Sequence, residues 1–158
     1  MSDDVLAKFK ENVGKEIGVS DWVEVKQDRI NQFAECTGDH QWIHVNEEMA
    51  AKGPFGKTIA HGYLTLSMIP ALQSSMKGGT RSVPEGLKVI MGVNYGLNKV
   101  RLINPVVVDS KIRTRAVLTD VVEKGNGRYL MTTTHTIEID GQEKPACIAE
   151  TLSMIMTA

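Results

Sequence analysis

The sequence predicts an α+β domain, an antiparallel sheet set against one central apolar helix. Three observations carry this. Residues 61–76 form the most apolar stretch, with Tyr63, Leu64, Leu66, Met68, Ile69, Ala71, Leu72 and Met76 spread around the whole helical circumference, so this helix has to be wrapped by other structure. The second half reads as strands separated by turn signals. Within it Ile112, Thr114, Ala116 and Leu118 alternate with Lys111, Arg113, Arg115 and Val117, the pattern of a sheet buried on one face and largely solvated on the other. A chain of 158 residues is expected to form a single domain over 1–158.

The elements follow in order. Residues 5–18 read as a short helix and a turn at Gly14 or Gly18, and Trp22, Val23 and Val25 as a first short strand. Ile30, Phe33, Ala34 and Thr37 recur at helical spacing with Asp28 in the first turn, and Gly38 ends that helix. Gly53, Pro54 and Gly56 then interrupt the chain up to Gly62, leaving room for at most a short helix over 46–52. Irregular segments of this length inside a compact domain usually serve binding or catalysis. Pro70 removes one backbone hydrogen bond from the apolar helix and predicts a kink or a late restart there. Strands are expected over 87–95, 100–103, 111–122, 128–139 and 146–156, with Gly125-Asn126-Gly127 and Asp140-Gly141 as hairpin turns.

Composition narrows the function. The 18 basic and 19 acidic residues leave a net charge of −1 with no run of five like charges, which argues against a nucleic-acid partner. The first fifteen residues mix Asp3, Asp4, Lys8, Lys10 and Glu11 with isolated apolar residues, unlike a signal peptide, and no segment reaches the roughly 18 apolar residues that span a bilayer. A cytoplasmic location away from membranes is expected. Cys36 and Cys147 lack metal or redox spacing and are expected as small core residues.

The segment from Thr37-Gly38-Asp39 to His44-Val45 places a carboxylate and an imidazole five residues apart just after a helix ends. A loop can turn both into one cleft, where they would hold a water and supply a base and an acid. The same residues also read as a turn-stabilising Asp39 and a partly buried, satisfied His44, with Trp42 in the core and Gln41 at the surface. His40 and His44, four apart, together with His61 suggest metal ligands, although Gln41 stands where a zinc-protease helix carries Glu. At the start of the apolar helix, Gly62 can offer a free N–H to a developing oxyanion, or can simply relieve crowding where the helix enters the sheet.

Taken together, Phe33-Ala34, Thr37-Gly38-Asp39, Ile43-His44-Val45, Gly53-Pro54-Phe55-Gly56, Ile59-Ala60-His61-Gly62 and Asn94-Tyr95-Gly96-Leu97-Asn98-Lys99-Val100-Arg101 resemble the MaoC-like hydratases. That family includes the (R)-specific enoyl-CoA hydratases and a nodulation-protein-N-like branch. The resemblance implies a hot-dog fold, a long helix wrapped by an antiparallel sheet, and a homodimer with its sites near the interface. It implies a hydro-lyase acting on an acyl thioester of CoA or acyl carrier protein, adding water to a trans-2-enoyl thioester to give the (R)-3-hydroxyacyl product. Asp39 and His44 are then the catalytic pair, Gly62 the oxyanion donor, and Gln41 and His61 further substrate-binding residues, with no cofactor and no metal expected.

The chain departs from the family's Asp-x-Asn-Pro-x-His pattern, carrying Gln41 and Trp42 in place of Asn and Pro, and a serine of some members falls near Pro70. Acyl-CoA thioesterase activity and noncatalytic acyl-thioester binding are the alternatives on the same fold. Lys99, Arg101, Lys111, Arg113 and Arg115 read either as contacts to CoA phosphates or as ordinary solvated sheet residues.

Overall fold

The computed structural model describes residues 2–79 and 82–158. Helix α1 (Ser2–Lys10) leads into strand β1 (Glu16–Val19) and the two-residue β2 (Val23–Glu24). Gly14 turns the chain, whereas Gly18 lies within β1, at a bulge in its pairing. β1 is thus a strand where the sequence suggested only helix and turn; four residues without alternation carry no periodic signal, and pairing decides. Helix α2 (Gln27–Thr37) ends as expected at Gly38, which adopts φ 81° and gives its N–H to the carbonyl of Ala34. Two short helices follow, α3 (Trp42–Val45) and α4 (Glu47–Ala51), the second capped by Asn46, whose side chain accepts the Met49 N–H at 3.0 Å.

The expected long helix is two short ones, α5 (Gly62–Ser67) and α6 (Ile69–Gln73), meeting at Met68. Pro70 is the cause: it has no N–H for the carbonyl of Leu66, so the ladder stops and restarts with the proline in the first turn, where it is tolerated. Leu64, Thr65, Met68, Ile69 and Leu72 are buried, but Tyr63 is 73% exposed, so within one chain the wrapping is incomplete.

Four long strands complete the chain: β3 (Val89–Leu102), β4 (Lys111–Gly125), β5 (Arg128–Ile139) and β6 (Cys147–Thr157). The sheet is antiparallel, in the order β1-β4-β5-β6-β3, with β2 also on β4. The two strands expected over 87–95 and 100–103 are one, β3, running from Val89 to Leu102; register shifts at Asn94/Gly96 and Leu97/Lys99 absorb the weak strand formers that suggested a break. Asn126 and Gly127, with φ of 55° and 68°, make the tight β4–β5 hairpin. Asp140-Gly141, by contrast, opens a longer connection to β6.

Ile112, Thr114, Ala116 and Leu118 all point inward, as the alternation predicted. Ile112 and Leu118 belong to two separate apolar clusters. The larger gathers Leu64, Met68, Ile69 and Leu72 of α5 and α6 against Ile112, Ile137, Cys147 and Ala149 of the sheet, and the smaller packs Phe9 of α1 on Leu118, Val121, Tyr129 and Met131. Cys147 is a core residue as expected, but Cys36 lies on the exposed face of α2, because only Ile30 and Ala34 of that helix are buried.

Candidate active site

Gly38 throws the chain out of α2, leaving Asp39 exposed on the loop. Its carboxylate accepts only a long 3.4 Å bond from the Gln41 N–H. The single turn of α3 then carries His44 to the buried side, 6% exposed. Its Nδ1 lies 2.7 Å from the carbonyl of Ile59. A carbonyl only accepts, so Nδ1 carries the hydrogen and the Nε2 lone pair is left to act as a base. Gln27 holds the same residue from behind, donating to the His44 carbonyl at 2.7 Å and accepting from the Thr58 hydroxyl at 2.5 Å. The Ile59 N–H donates to Ile43 at 3.0 Å, and that of Ala60 to Val106 at 2.8 Å, so α3 is tied through residues 59–60 to the segment leading into β4.

His61 is 2% exposed, stacks on His44 with ring centroids 3.8 Å apart, and meets Phe33 at 4.9 Å. Its Nε2–H donates to the backbone carbonyl of Asp39 at 2.9 Å. The Asp39 carboxylate and ring nitrogens of His44 and His61 lie within 4.8 Å of one another. A water hydrogen-bonded at about 2.8 Å to both the Asp39 carboxylate and the His44 base holds them about 4.6 Å apart, a spacing this cluster accommodates. Stacked rings, here inclined by only 26°, direct their in-plane lone pairs alongside one another and not toward a common point. Asp39 and His44 are the pair that one water can bridge. His40, part of the metal reading, is exposed and faces Glu35 at 3.7 Å.

Burial holds the His44 imidazole below its ordinary value of 6.5, outweighing its bond to Ile59, with His61 adding to the lowering and Asp39 opposing it. His44 is accordingly a neutral base at neutral pH. It shares a cavity of about 280 Å³ with Phe55, Ile59, Gly62, Thr65, Leu102 and Val106. Asp39 is not part of that wall and meets the site only through its closeness to the two histidines. The Gly62 N–H makes no backbone hydrogen bond outside its helix, and a Cβ on Gly62 would collide with Leu102, so the glycine is a point of close packing at the cavity wall. A cleft of about 400 Å³ between Leu66, Ile69, Pro70, Tyr95 and Leu97 contains no histidine or carboxylate.

The remaining candidates fall away from the cavity. Gln41 starts α3 through its backbone, and its side chain is exposed. Arg113 pairs with Glu138 at 2.6 Å and Arg115 with Glu16 at 2.5 Å, so both are spent within the outer sheet face. Trp42 packs close to Gly53 and is half-buried. Three contributors escaped the sequence reading: Gln27, the Ile59 carbonyl and Thr65. Only Thr65 had a signal, a hydroxyl one turn after Gly62 on an otherwise apolar face.

This geometry has relatives. Residues 8–140 match the family described as MaoC like domain. The chain is 48% identical to 3-hydroxyacyl-thioester dehydratase Z of Mycobacterium tuberculosis over 93% of each chain. It is 40% identical to nodulation protein N of Rhizobium leguminosarum over 95% of this chain and 90% of that one. Among solved structures, the MaoC-like dehydratase of Rhodospirillum rubrum superposes with a TM-score of 0.68 at 16% identity, covering 92% of both chains. The unliganded R-hydratase of Pseudomonas aeruginosa does so with a TM-score of 0.64 at 18% identity, covering 91% of this chain and 88% of that one. These structures share the hot-dog fold, and with nearly full-length similarity to dehydratases and to nodulation protein N, the chain belongs to the MaoC-like family.

Proposed function

We propose that this protein is a hydro-lyase that reversibly adds water to trans-2-enoyl thioesters of CoA or acyl carrier protein, giving (R)-3-hydroxyacyl thioesters. The observation that carries the reading is His44: a buried imidazole whose Nδ1–H is committed to Ile59, leaving Nε2 as a neutral base beside the Asp39 carboxylate. The similarity to a protein named 3-hydroxyacyl-thioester dehydratase supports the same chemistry.

The steps balance without a cofactor. Nε2 of His44 takes a proton from the water that Asp39 helps to hold, while the water oxygen bonds to C3 of the enoyl group. The C2–C3 π electrons move toward the thioester, whose oxygen gathers negative charge facing the Gly62 N–H. The enolate then collapses as C2 takes a proton from the Asp39–His44 pair. Dehydration is the reverse.

The working unit in this reading is a homodimer joined along β3, the strand with apolar residues exposed along its length. The test is to offer crotonyl-CoA to the purified protein and couple the product to dehydrogenases specific for either 3-hydroxyacyl enantiomer. Oxidation by the (R)-specific enzyme alone is expected. Oxidation by the (S)-specific enzyme alone, release of free CoA thiol, or tight binding without turnover would each overturn the assignment, the last two pointing to a thioesterase or a binding protein.

A further inference from the structure

The proposed reaction leaves His61 without a task. It occupies the position before α5 where a Ser, Thr, Asp or Asn side chain would accept a helix N–H, yet its imidazole makes no capping bond. The ring turns instead to the Asp39 carbonyl, 22 residues away in sequence, and lies stacked on His44. Held there, its Nδ1 is buried with no partner, the one such side-chain atom among the described residues. An unpartnered buried polar atom is costly, and costs of this kind persist where the geometry they maintain is used.

The Asp39 carboxylate needs such a hold. It stands on an exposed loop just after the glycine that ends α2, and its own hydrogen bond is long. We infer that His61 is a positioning residue, not a substrate contact: its imidazole ties the backbone of Asp39 to the ring of His44 and sets carboxylate and base at the spacing that one water bridges. A ring that is 2% exposed and covered by His44 and Phe33 has little surface left for substrate. The inference rests on the hydration chemistry proposed for Asp39 and His44, and its test separates the two.

His61→Phe keeps a stacking ring without a donor, whereas His61→Gln keeps an N–H near the position of Nε2. With crotonyl-CoA, H61F should lose about 30-fold or more in kcat with KM held within about threefold, and H61Q should recover most of the loss. In a D39N background, H61F should cost less than about threefold further, because its effect passes through the carboxylate. Amide hydrogen exchange over residues 38–41 should quicken in H61F and not in H61Q. Unchanged kcat, a rise in KM alone, an undiminished second loss in D39N, or unchanged exchange in H61F would each overturn the inference. If H61F fails to fold, His61→Asn replaces it, its shorter amide being out of reach of Asp39; equal kcat and exchange in H61Q and H61N would then count against the role. Should the parent protein hydrate no enoyl thioester, the reaction fails and the exchange measurement alone decides whether His61 holds the loop.

Discussion

His44 and Asp39 are held in opposite ways, and this difference shapes what their replacement should do. His44 is gripped at Nδ1 by Ile59, at its backbone by Gln27 and on its ring face by His61, whereas the Asp39 carboxylate has one long bond. Replacing either by an amide side chain, Asp39→Asn or His44→Gln, should leave the fold intact and lower hydration by about two orders of magnitude, as for positioned acid and base groups. The double variant should lose far less than the product of the two; multiplicative losses in steady-state assays would show that they act separately. The pH dependence follows from the direction of the His44 shift. Burial disfavours the imidazolium, so the base stays unprotonated to lower pH, and the acid limb of kcat/KM should have its midpoint below 6.5. A midpoint above 7 would mean that another group limits the rate. At this scale the sequence was informative where the site is local: Asp39, His44 and Gly62 sit in short motifs around chain turns. Gln27 and the Ile59 carbonyl, 17 and 15 residues from His44, were not legible, because only the folded chain brings them near.

Between elements, the buried polar contact of interest joins α6 to the inner face of the sheet. His135 of β5 is fully buried, with Thr114 Oγ1 3.2 Å from Nδ1 and the Gln73 amide nitrogen 3.3 Å from Nε2. The amide can only donate, so Nε2 accepts and Nδ1–H donates to Thr114. Burial pushes His135 down from 6.5 to about 4. Above pH 6.5 the group is neutral whether folded or unfolded and contributes no pH dependence. Between 6.5 and 4 the unfolded chain takes up a proton that the folded one refuses, and stability falls as the pH falls. By pH 4.5 this one group should cost roughly 2–3 kcal/mol relative to pH 7.5, readable as a difference in urea unfolding free energy. His135→Gln should flatten that difference by a similar amount; an unchanged pH dependence in the variant would place the acid sensitivity elsewhere. The same elements show what patterning reveals. β4 and β5 were legible because one face is buried along their length, and Pro70 correctly announced the division between α5 and α6. β1 and α3 were too short to show a period, and β3 was read as two strands because it buries neither face and so lacks the alternation that would have joined them.

The whole molecule leaves its last strand unfinished. β3 pairs with β6 along one side only, and its other side is a free edge of 14 residues. Ile90 and Tyr95 are each 63% exposed, and Met91, Val93, Leu97 and Leu102 are exposed beside them. A long apolar edge of this kind invites pairing, and proteins that remain monomeric blunt it with charge, proline or brevity. β3 has none of these over residues 89–97, its basic residues Lys99 and Arg101 lying toward one end. A second copy offers the same edge, and antiparallel pairing of the two about a two-fold axis would satisfy both sets of backbone groups at once. It would also bring the partner toward the active cavity, because Leu102 of β3 and the following Ile103 form part of that wall. Light scattering at micromolar concentration should therefore report a dimer or a higher even oligomer. The double substitution Ile90→Lys with Tyr95→Lys should shift it toward monomer and lower hydration in the same preparations, though neither residue belongs to the acid–base pair. A monomeric parent protein, or lysine variants that remain dimeric, would show that this edge is not where two copies meet.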